Sequence, residues 1–278
     1  NKKVFLADFN NAEYTVKEIS RLRELTFRKV GEGTGHKNDF DKYDKYYKHL
    51  VLWDENNLEI AGSYRVSNCR DILLEKDFDG LYNSGQFLFS RSFRPVLMNS
   101  MELGRSFIKE EYWKTNALDL IWKGIGSLLQ NQFSNVRYLY GAVSISDSYP
   151  EKAKNLIVHY YRKWYMSARD YALARNKFTI SGRQEAEISA ILNGEDHRED
   201  FKILKSTLKN YGLHVPVLLR NYMNLAEYGG GKVLDFGIDT AFSNAIDVLI
   251  LIDLHYLKDN IRNRYYPQKE ILENISQN

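Results

Sequence analysis

The chain has 278 residues and a formal net charge of +3, with 44% hydrophobic and 27% charged residues. These values are ordinary for a globular protein, and the length suits one large domain or a core with a sizeable insertion. A charge balance this mild gives no argument for nucleic-acid binding, although it leaves room for a local basic patch that meets an acidic partner or a membrane surface.

The sequence shows neither a metal motif nor a membrane span. Cys69 is the single cysteine, which excludes an intrachain disulfide, and the six histidines lack metal-ligand spacing. The most apolar run, residues 248–252, lies between Asp247 and Asp253 and is typical of a buried strand. We expect a cytoplasmic protein without a metal. A chain that begins with Asn1 rather than Met is also consistent with a processed product or a fragment of a longer protein.

The first half of the chain alternates between strand and helix patterns. Residues 3–9 predict a strand, residues 13–30 carry apolar positions at helical spacing, and glycines 31, 33 and 35 end that helix in a loop. An acidic and aromatic segment, residues 39–47, precedes two strands whose Asn-rich connection is typical of an antiparallel hairpin. The further predicted elements are the hairpin strands 48–54 and 59–68, a less regular stretch 69–95, a strand 97–108, a helix 116–133, a strand 136–144 and a helix 151–168.

The second half begins with a change of character. Residues 169–210 are charged and predict mainly helix, followed by a short helix over 216–228 and strands over 232–238 and 245–254. We therefore divide the chain into a core (1–168), a helical insertion (169–212), a C-terminal helix with strands that complete the sheet (213–258) and a tail (259–278). The order of elements predicts an α+β fold with a mainly antiparallel sheet flanked by helices, not a doubly wound parallel sheet.

A carboxylate and a guanidinium stand three residues apart on the strand over 97–108, as Glu102 and Arg105. By themselves these residues favour a structural ion pair, since a strand glutamate commonly pairs with a nearby arginine such as Arg105 or Arg65. A chemical role needs a wider pattern, and such a pattern runs through the chain in order. Its members are Arg23, Phe27, Asp41, Asp44, Arg65, Glu102 and Arg105.

In this pattern the chain resembles the Gcn5-related N-acetyltransferase (GNAT) superfamily, and two of its branches in particular. The paired residues listed above match the acyl-homoserine-lactone synthases, although the tryptophan usual after the first helix is missing. The second branch comprises the ornithine–acyl-carrier-protein N-acyltransferases and hemolysin-like proteins, and it also includes enzymes that acylate glycine. The segments that resemble it are residues 40–44, 49–53, 62–65, 102–106, 120–125 and 138–146, within a match over about 18–160 and 215–254.

The resemblance implies a fold and a function. The strand that carries Glu102 is expected to splay from the strand over 136–144, with the pantetheine arm of the acyl donor in the gap. The implied reaction moves a long, 3-hydroxylated or plain acyl chain from acyl carrier protein to the amine of an amino acid such as ornithine or glycine, giving a lyso-aminolipid. The alternatives are an acyl-homoserine-lactone synthase-like enzyme and a non-enzymatic, hemolysin-like membrane- or lipid-binding protein.

The resemblance also implies roles for individual residues. Glu102 is the candidate base that takes a proton from the amine, and Tyr149 the candidate acid for the leaving thiol. The candidate substrate-binding residues are Arg23, Asp41, Asp44, Arg65, Arg105 and Ser144, and those for the acyl donor are Leu103, Gly104, Lys114 and Lys123. A structural role stays open for most of them: the arginines and aspartates as a salt-bridged scaffold, and the lysines as a charged helix edge.

The segment before the helix over 116–133 indicates which acyl donor the protein uses. This superfamily presents a glycine-rich turn there to a pyrophosphate, whereas residues 110–116 lack glycine and include Glu110 and Glu111. A carrier protein, whose arm has one phosphate, therefore fits better than coenzyme A, and no permanently bound cofactor is expected. The expected partners are acyl carrier protein, a small amino acid, the inner face of the membrane through peripheral contact, and an O-acyltransferase as a fused or separate protein.

Overall fold

The computed structural model describes residues 1–266. In chain order its elements are β1 (Lys2–Asp8), α1 (Glu13–Lys29), β2 (Lys48–Asp54), β3 (Glu59–Asn68), α2 (Cys69–Lys76), β4 (Phe87–Phe89), α3 (Arg94–Leu97), β5 (Ser100–Ile108), α4 (Ala117–Asn131), β6 (Tyr138–Ile145), α5 (Glu151–Tyr165), β7 (Ala172–Ala174), α6 (Gly182–Ile191), α7 (His197–Lys209), α8 (Val217–Met223), β8 (Gly231–Asp239), β9 (Ala245–Asp253) and α9 (Asp259–Tyr265). The predicted tail is thus described only as far as residue 266.

Seven strands form one sheet in the order β1-β2-β3-β5-β6-β9-β8, and every neighbouring pair is antiparallel except β5 with β6. Strands β4 and β7 form a separate small sheet. Helices α4 and α5 pack on one face of the large sheet, while α1, α2 and the segment 39–47 cover the other. The predicted α+β fold with a mainly antiparallel sheet is confirmed.

Helix α1 buries one face, as its apolar spacing predicts, but that face also carries charge. Val16, Ile19 and Phe27 are buried together with the fully buried Arg23 and Glu24. Buried charges need partners, so α1 must face acceptors on the segments packed against it. The helix ends before Gly31, whose φ of +77° lies in the left-handed region that glycine tolerates.

The stretch over 69–95 is more ordered than the sequence predicts. Residues Cys69–Lys76 form α2, because the side chain of Asn68 caps the helix by accepting a hydrogen bond from the backbone N–H of Arg70. Strand β4 pairs with β7, which lies in the predicted helical insertion. Short three-residue strands such as these leave no periodic signal for sequence analysis to detect.

Strands β5 and β6 run together for only three residue pairs, from Ser100 with Tyr138 to Glu102 with Tyr140. Beyond that point β6 pairs only with β9. The last close approach is at Gly141, where an added Cβ would lie 2.0 Å from the carbonyl oxygen of Leu103. Glycine is required there because two backbones meet where the strands part.

Helix α9 packs against α4, since an added Cβ on Gly126 would lie 1.6 Å from the carbonyl oxygen of Tyr265. Arg264 also donates a hydrogen bond to Asp119 of α4 at 2.7 Å. The start of the predicted tail is therefore part of the packed structure. Within residues 1–266, no helix is long and apolar enough to cross a membrane, and no cluster of three or more metal-ligating side chains occurs.

The close approach of the two backbones at Gly141 predicts that a larger residue there destabilises the protein. We expect Gly141→Ala to lower the free energy of unfolding by about 1–3 kcal/mol, since the added methyl group forces β5 away from β6. Gly104→Ala is the matched control, because nothing lies within 4 Å of the position of its added Cβ. Thermal and urea unfolding of both variants measures the difference. Equal stability of the two variants would contradict the close approach.

Candidate active site

A buried network of ion pairs joins α1 to the segment 39–47. The guanidinium of Arg23 donates to the carboxylate of Asp39 at 2.7 Å and to that of Asp44 at 2.9 Å, and all three side chains are fully buried. Burial opposes the charged form of Asp44, but Arg23 and Arg65 outweigh it and hold the pKa of that carboxyl well below its usual range. Asp44 is therefore a permanent anion inside the protein.

The network continues to the sheet through two more arginines. Arg65 on β3 donates to Asp41 at 2.8 Å, and Arg105 on β5 donates to Asp39 at 2.8 Å and to the hydroxyl of Tyr82 at 2.9 Å. The adjacent His49 stays neutral, because burial lowers its pKa to about 3. Three arginines thus balance three aspartates in an interior without net charge.

The sequence-predicted residues Arg23, Asp41, Asp44, Arg65 and Arg105 are all part of this network. Asp41 and Asp44 also cap a short helical turn, because each side chain accepts a hydrogen bond from the other end of that turn. These contacts account for the residues as a scaffold. Their predicted role in substrate binding is not tested by the contacts and stays a prediction.

The side chain of Glu102 is buried among polar groups, several of them from the loop that follows α2. It accepts hydrogen bonds from the hydroxyl of Tyr47, from the backbone N–H of Tyr82 at 3.3 Å, and from Asn83 through the backbone N–H at 2.9 Å and the side-chain amide at 2.6 Å. Burial raises the pKa of Glu102, although these donors oppose the rise. The carboxylate therefore holds the 82–83 segment in place, and Glu102 does not line the cavity that opens between β5 and β6.

A cavity of about 590 Å³ opens where β5 and β6 separate. Its wall includes Leu103 and Gly104, the predicted donor-binding residues of β5, together with Ala142 and Ser144 of β6. One part of the cavity is an apolar arm, which we define by Tyr64, Ile108, Trp113, Leu118, Ile121, Val143, Val217 and Leu218. Trp113 and Val217 are about half exposed and mark its mouth, whereas Tyr64 and Ile121 are buried and mark its depth.

The other part of the cavity is an acidic end, formed by Glu32, Asp239 and Asp247 with Arg105 as the facing cation. Burial raises the pKa of Glu32, against a hydrogen bond from Ser144, and burial also raises the pKa of Asp239. Burial, together with the neighbouring Asp239 and Glu32, raises the pKa of Asp247 to about 8. The arrangement attracts a cation and leaves a carboxylate that gains or loses its proton near neutral pH.

The glycine loop after α1 brings Glu32 to this end. Glu24 accepts hydrogen bonds from the backbone N–H groups of Thr34 at 3.0 Å and Gly35 at 2.9 Å, which folds the loop back on α1. The hydroxyl of Ser146 donates to the carbonyl of Val30 at 3.0 Å. The loop is thus fixed against α1 and the end of β6, with Glu32 between these anchors.

The remaining predicted site residues divide into two groups. Tyr149 and Ser144 line the cavity, and the Tyr149 hydroxyl donates to the carbonyl of His214 at 2.9 Å. The two predicted lysines lie outside the cavity wall: Lys114 is exposed before α4, and Lys123 faces Asp119 across 3.5 Å on the helix surface.

Sequence reasoning did not select Glu32, Asn83, Asp239 or Asp247. Asp247 offered a signal, since it stands inside the paired part of a strand between Ile246 and Val248. An acidic residue at an inward position of an otherwise apolar strand is unusual unless it has a partner or a task. The other three lie in loops or at a strand end, where only the fold shows what they face.

The chain is similar to an acetyltransferase family and to several named N-acyltransferases. The family described as "Acetyltransferase (GNAT) domain" matches residues 22–123. A glycine N(alpha)-acyltransferase from Bacteroides thetaiotaomicron is 30% identical over an alignment that covers 95% of this chain and 81% of that protein. An L-ornithine N(alpha)-acyltransferase from Agrobacterium fabrum is 24% identical, over 88% of this chain and 75% of that protein. The solved acyl-homoserine-lactone synthase LasI aligns over 96% of this chain and 95% of its own, with 10% identity and a TM-score of 0.45.

The fold and the cavity between its splayed strands are those of a GNAT-type acyltransferase. Within that class, the chain belongs to the family of amino-acid N-acyltransferases that contains the glycine and ornithine enzymes. The resemblance to this family and the prediction of an acyltransferase are therefore confirmed.

The buried network makes a second stability prediction. Arg23→Ala should cost about 3–5 kcal/mol of unfolding free energy, because it leaves two buried aspartates without their main partner. Arg21→Ala removes an exposed ion pair with Glu18 from the same helix and should cost less than about 1 kcal/mol. Chemical denaturation of both variants measures the contrast, and a similar small loss for Arg23→Ala would show that the network contributes little.

Proposed function

We propose that this enzyme transfers a long acyl chain from the phosphopantetheine thioester of acyl carrier protein to the α-amine of a small amino acid, with glycine as the first candidate and ornithine as the second. The product is an N-acyl amino acid, a lyso-aminolipid. The observation that carries the proposal is a single cavity with an apolar arm and an acidic end. Glycine comes first because the glycine N(alpha)-acyltransferase from Bacteroides thetaiotaomicron is 30% identical, against 24% for the ornithine enzyme.

The apolar arm suits an acyl chain. The arm is part of a cavity of about 590 Å³. The volume of this cavity lies within the range of about 300–1,000 Å³ that is usual for small-molecule sites. Each methylene group that leaves water for such an arm gains about 0.8 kcal/mol, so a long chain is bound in preference to a short one. Residues Leu103 and Gly104 line the start of the arm, where backbone N–H groups of β5 would hold the thioester carbonyl.

The acidic end suits the acceptor. An amino acid brings an ammonium group, which the carboxylates of Glu32, Asp239 and Asp247 attract, and a carboxylate, which needs a cation. Arg105 lines the cavity and has five N–H donors, of which Asp39 and Tyr82 occupy two. The remaining donors of Arg105 would bind the substrate carboxylate, as the sequence analysis predicts.

The approach to α4 favours a carrier protein as the donor. Glu110 and Glu111 form a short turn just before this helix, so the phosphates of coenzyme A would meet two carboxylates there. The arm of acyl carrier protein has a single phosphate. The exposed Lys114 follows the same turn in the sequence and would contact the acidic surface of the carrier protein. Lys123, whose ion pair with Asp119 is loose at 3.5 Å, is a second candidate contact.

The mouth of the arm supports peripheral membrane contact. Trp113 is 48% exposed and Val217 is 55% exposed, and both line the cavity. An aromatic and an aliphatic side chain at an opening suit delivery of a one-chain lipid to a membrane surface. When the transferred chain carries a 3-hydroxyl group, the product has a free hydroxyl, which an O-acyltransferase partner would esterify with a second acyl chain.

The activity test uses the purified chain with hexadecanoyl and 3-hydroxyhexadecanoyl acyl carrier protein, each offered glycine, ornithine or S-adenosylmethionine. We expect N-acylglycine by mass spectrometry, and slower reaction when acyl-coenzyme A replaces the carrier protein. Formation of an acyl-homoserine lactone instead would replace the proposal with the lactone-synthase alternative. Failure to acylate either amino acid from either donor would contradict it.

The depth of the apolar arm predicts chain-length selectivity. Ile121→Phe places a larger side chain at the buried end of the arm, so kcat/KM should fall about tenfold or more for hexadecanoyl donors, equivalent to about two lost methylene contacts, and less for octanoyl donors. Ile125→Phe, one turn further along α4, is the control, because Ile125 is equally buried but does not line the cavity. Equal loss for both donors would indicate general damage rather than a shortened arm.

A further inference from the structure

We propose that Asp247, in the acidic end of the cavity, binds the acceptor's ammonium group and takes its proton, and that Glu102 acts as a positioning residue through Asn83. This inference rests on the proposed transfer of an acyl group to an amine. It assigns the proton acceptor to a strand outside the Glu102–Arg105 motif.

The position of Asp247 is the first argument. It lies on β9, opposite Ser144 of β6 on one side and Gly237 of β8 on the other, and only 7% of it is exposed. It lines the cavity, and no donor within residues 1–266 makes a hydrogen bond to its carboxylate. A buried carboxylate without a donor is costly, and a bound ammonium group would supply the missing partner.

The charges around Asp247 also support binding of an ammonium group. The groups that face it are the carboxylates of Asp239 on β8 and Glu32 after α1, the guanidinium of Arg105 on β5 and the hydroxyl of Tyr82. Asp239 has donors of its own, from Gln86 and from the backbone N–H of Ala241. Three carboxylates against one cation leave room for an added positive charge, and the raised pKa of Asp247 brings that carboxylate closer to the pKa of an amine, so it accepts a proton more readily.

An unpartnered amide oxygen is the second, independent argument. Asn83 is 1% exposed and lines the same cavity, and its side-chain N–H and backbone N–H are both donated to Glu102. Its amide oxygen has no hydrogen-bond partner in the described part of the chain. Since the carboxylate of Glu102 fixes which end of the amide is the donor, it also fixes the orientation of this unpartnered oxygen at the cavity wall.

The chemical step follows from these contacts. The ammonium group gives one proton to the carboxylate of Asp247, and the freed nitrogen lone pair attacks the thioester carbonyl carbon. The C–N bond forms, the oxyanion collapses and the C–S bond breaks with its electron pair on sulfur. The nitrogen gives its second proton to the leaving thiolate, for which Tyr149 is the predicted relay, and Asp247 returns its proton to solvent.

The kinetic test compares Asp247→Asn with Glu102→Gln over pH 6 to 10, with acyl carrier protein thioester and the amine that the wild-type enzyme prefers. Asp247→Asn should lower kcat/KM at least about 100-fold near pH 7.5 and regain part of the rate as the amine loses its proton in solution. Glu102→Gln should lower the rate less and keep the wild-type rise with pH near 8. The reverse pattern, with the rise lost in Glu102→Gln and kept in Asp247→Asn, would overturn the proposal.

Asp253→Asn is the matched control on the same strand. Asp253 pairs with Arg137 at 2.7 Å at the far end of β9, outside the cavity, so its loss should leave kcat/KM unchanged. Thermal unfolding of Asp247→Asn should occur at the same or a higher temperature than that of the wild type, since the change removes an unpartnered buried carboxyl. An Asp247→Asn enzyme that unfolds earlier and retains wild-type kinetics would contradict the assignment.

A binding measurement separates this inference from the proposed function. Calorimetric titration compares glycine with glycolate, which has a hydroxyl group in place of the ammonium group. We expect glycine to bind the wild type more tightly, and Asp247→Asn to remove that preference. An enzyme that acylates no amine yet shows the preference would leave the ammonium site standing and overturn the function. Acylation of glycine without an effect of Asp247→Asn on binding or rate would support the proposed function and overturn the ammonium site at Asp247.

Discussion

The structure depends on a buried, neutral set of three arginines and three aspartates. Arg23 reaches from α1, Arg65 from β3 and Arg105 from β5, and the aspartates of the 39–44 segment lie among them. Each ion would be costly to bury alone, so the set holds only when all these segments are assembled. This mutual requirement fixes the position of Arg105 on the cavity wall, with a φ of +50° that an unconstrained arginine avoids.

The second constraint is the parting of β5 from β6. Three residue pairs hold the two strands together, and then the sheet opens into a cavity lined from both of its faces. An open sheet leaves backbone donors and acceptors without partners, which the pantetheine arm of the proposed donor would supply. The same opening brings the apolar arm and the acidic end into one space, so in the proposed function the acyl chain and the amine meet where the strands diverge.

The sequence was sufficient for the large strands and helices and for most residues of the scaffold. Alternation and helical spacing located the large strands and helices, because their apolar faces are buried as these patterns require. The three arginines, Asp41 and Asp44 were selected through the resemblance, whereas Asp39 was not, and the fold brings all six together. The acidic end could not be predicted from the sequence, since Glu32, Asp239 and Asp247 are distant in the chain and converge only through the glycine loop and the β8–β9 hairpin. Asn83 likewise shows its unpartnered oxygen only in the folded protein.

The central claim is that the acceptor amine lies at the carboxylate of Asp247. It is tested most directly by a crystal structure with glycine and an unreactive ketone analogue of the acyl-pantetheine thioester. The nitrogen of glycine should lie about 2.7–3.2 Å from an Asp247 oxygen, with the acyl chain in the apolar arm and the glycine carboxylate at Arg105. A nitrogen bound at Glu102 instead, with Asp247 remote from both ligands, would contradict the claim.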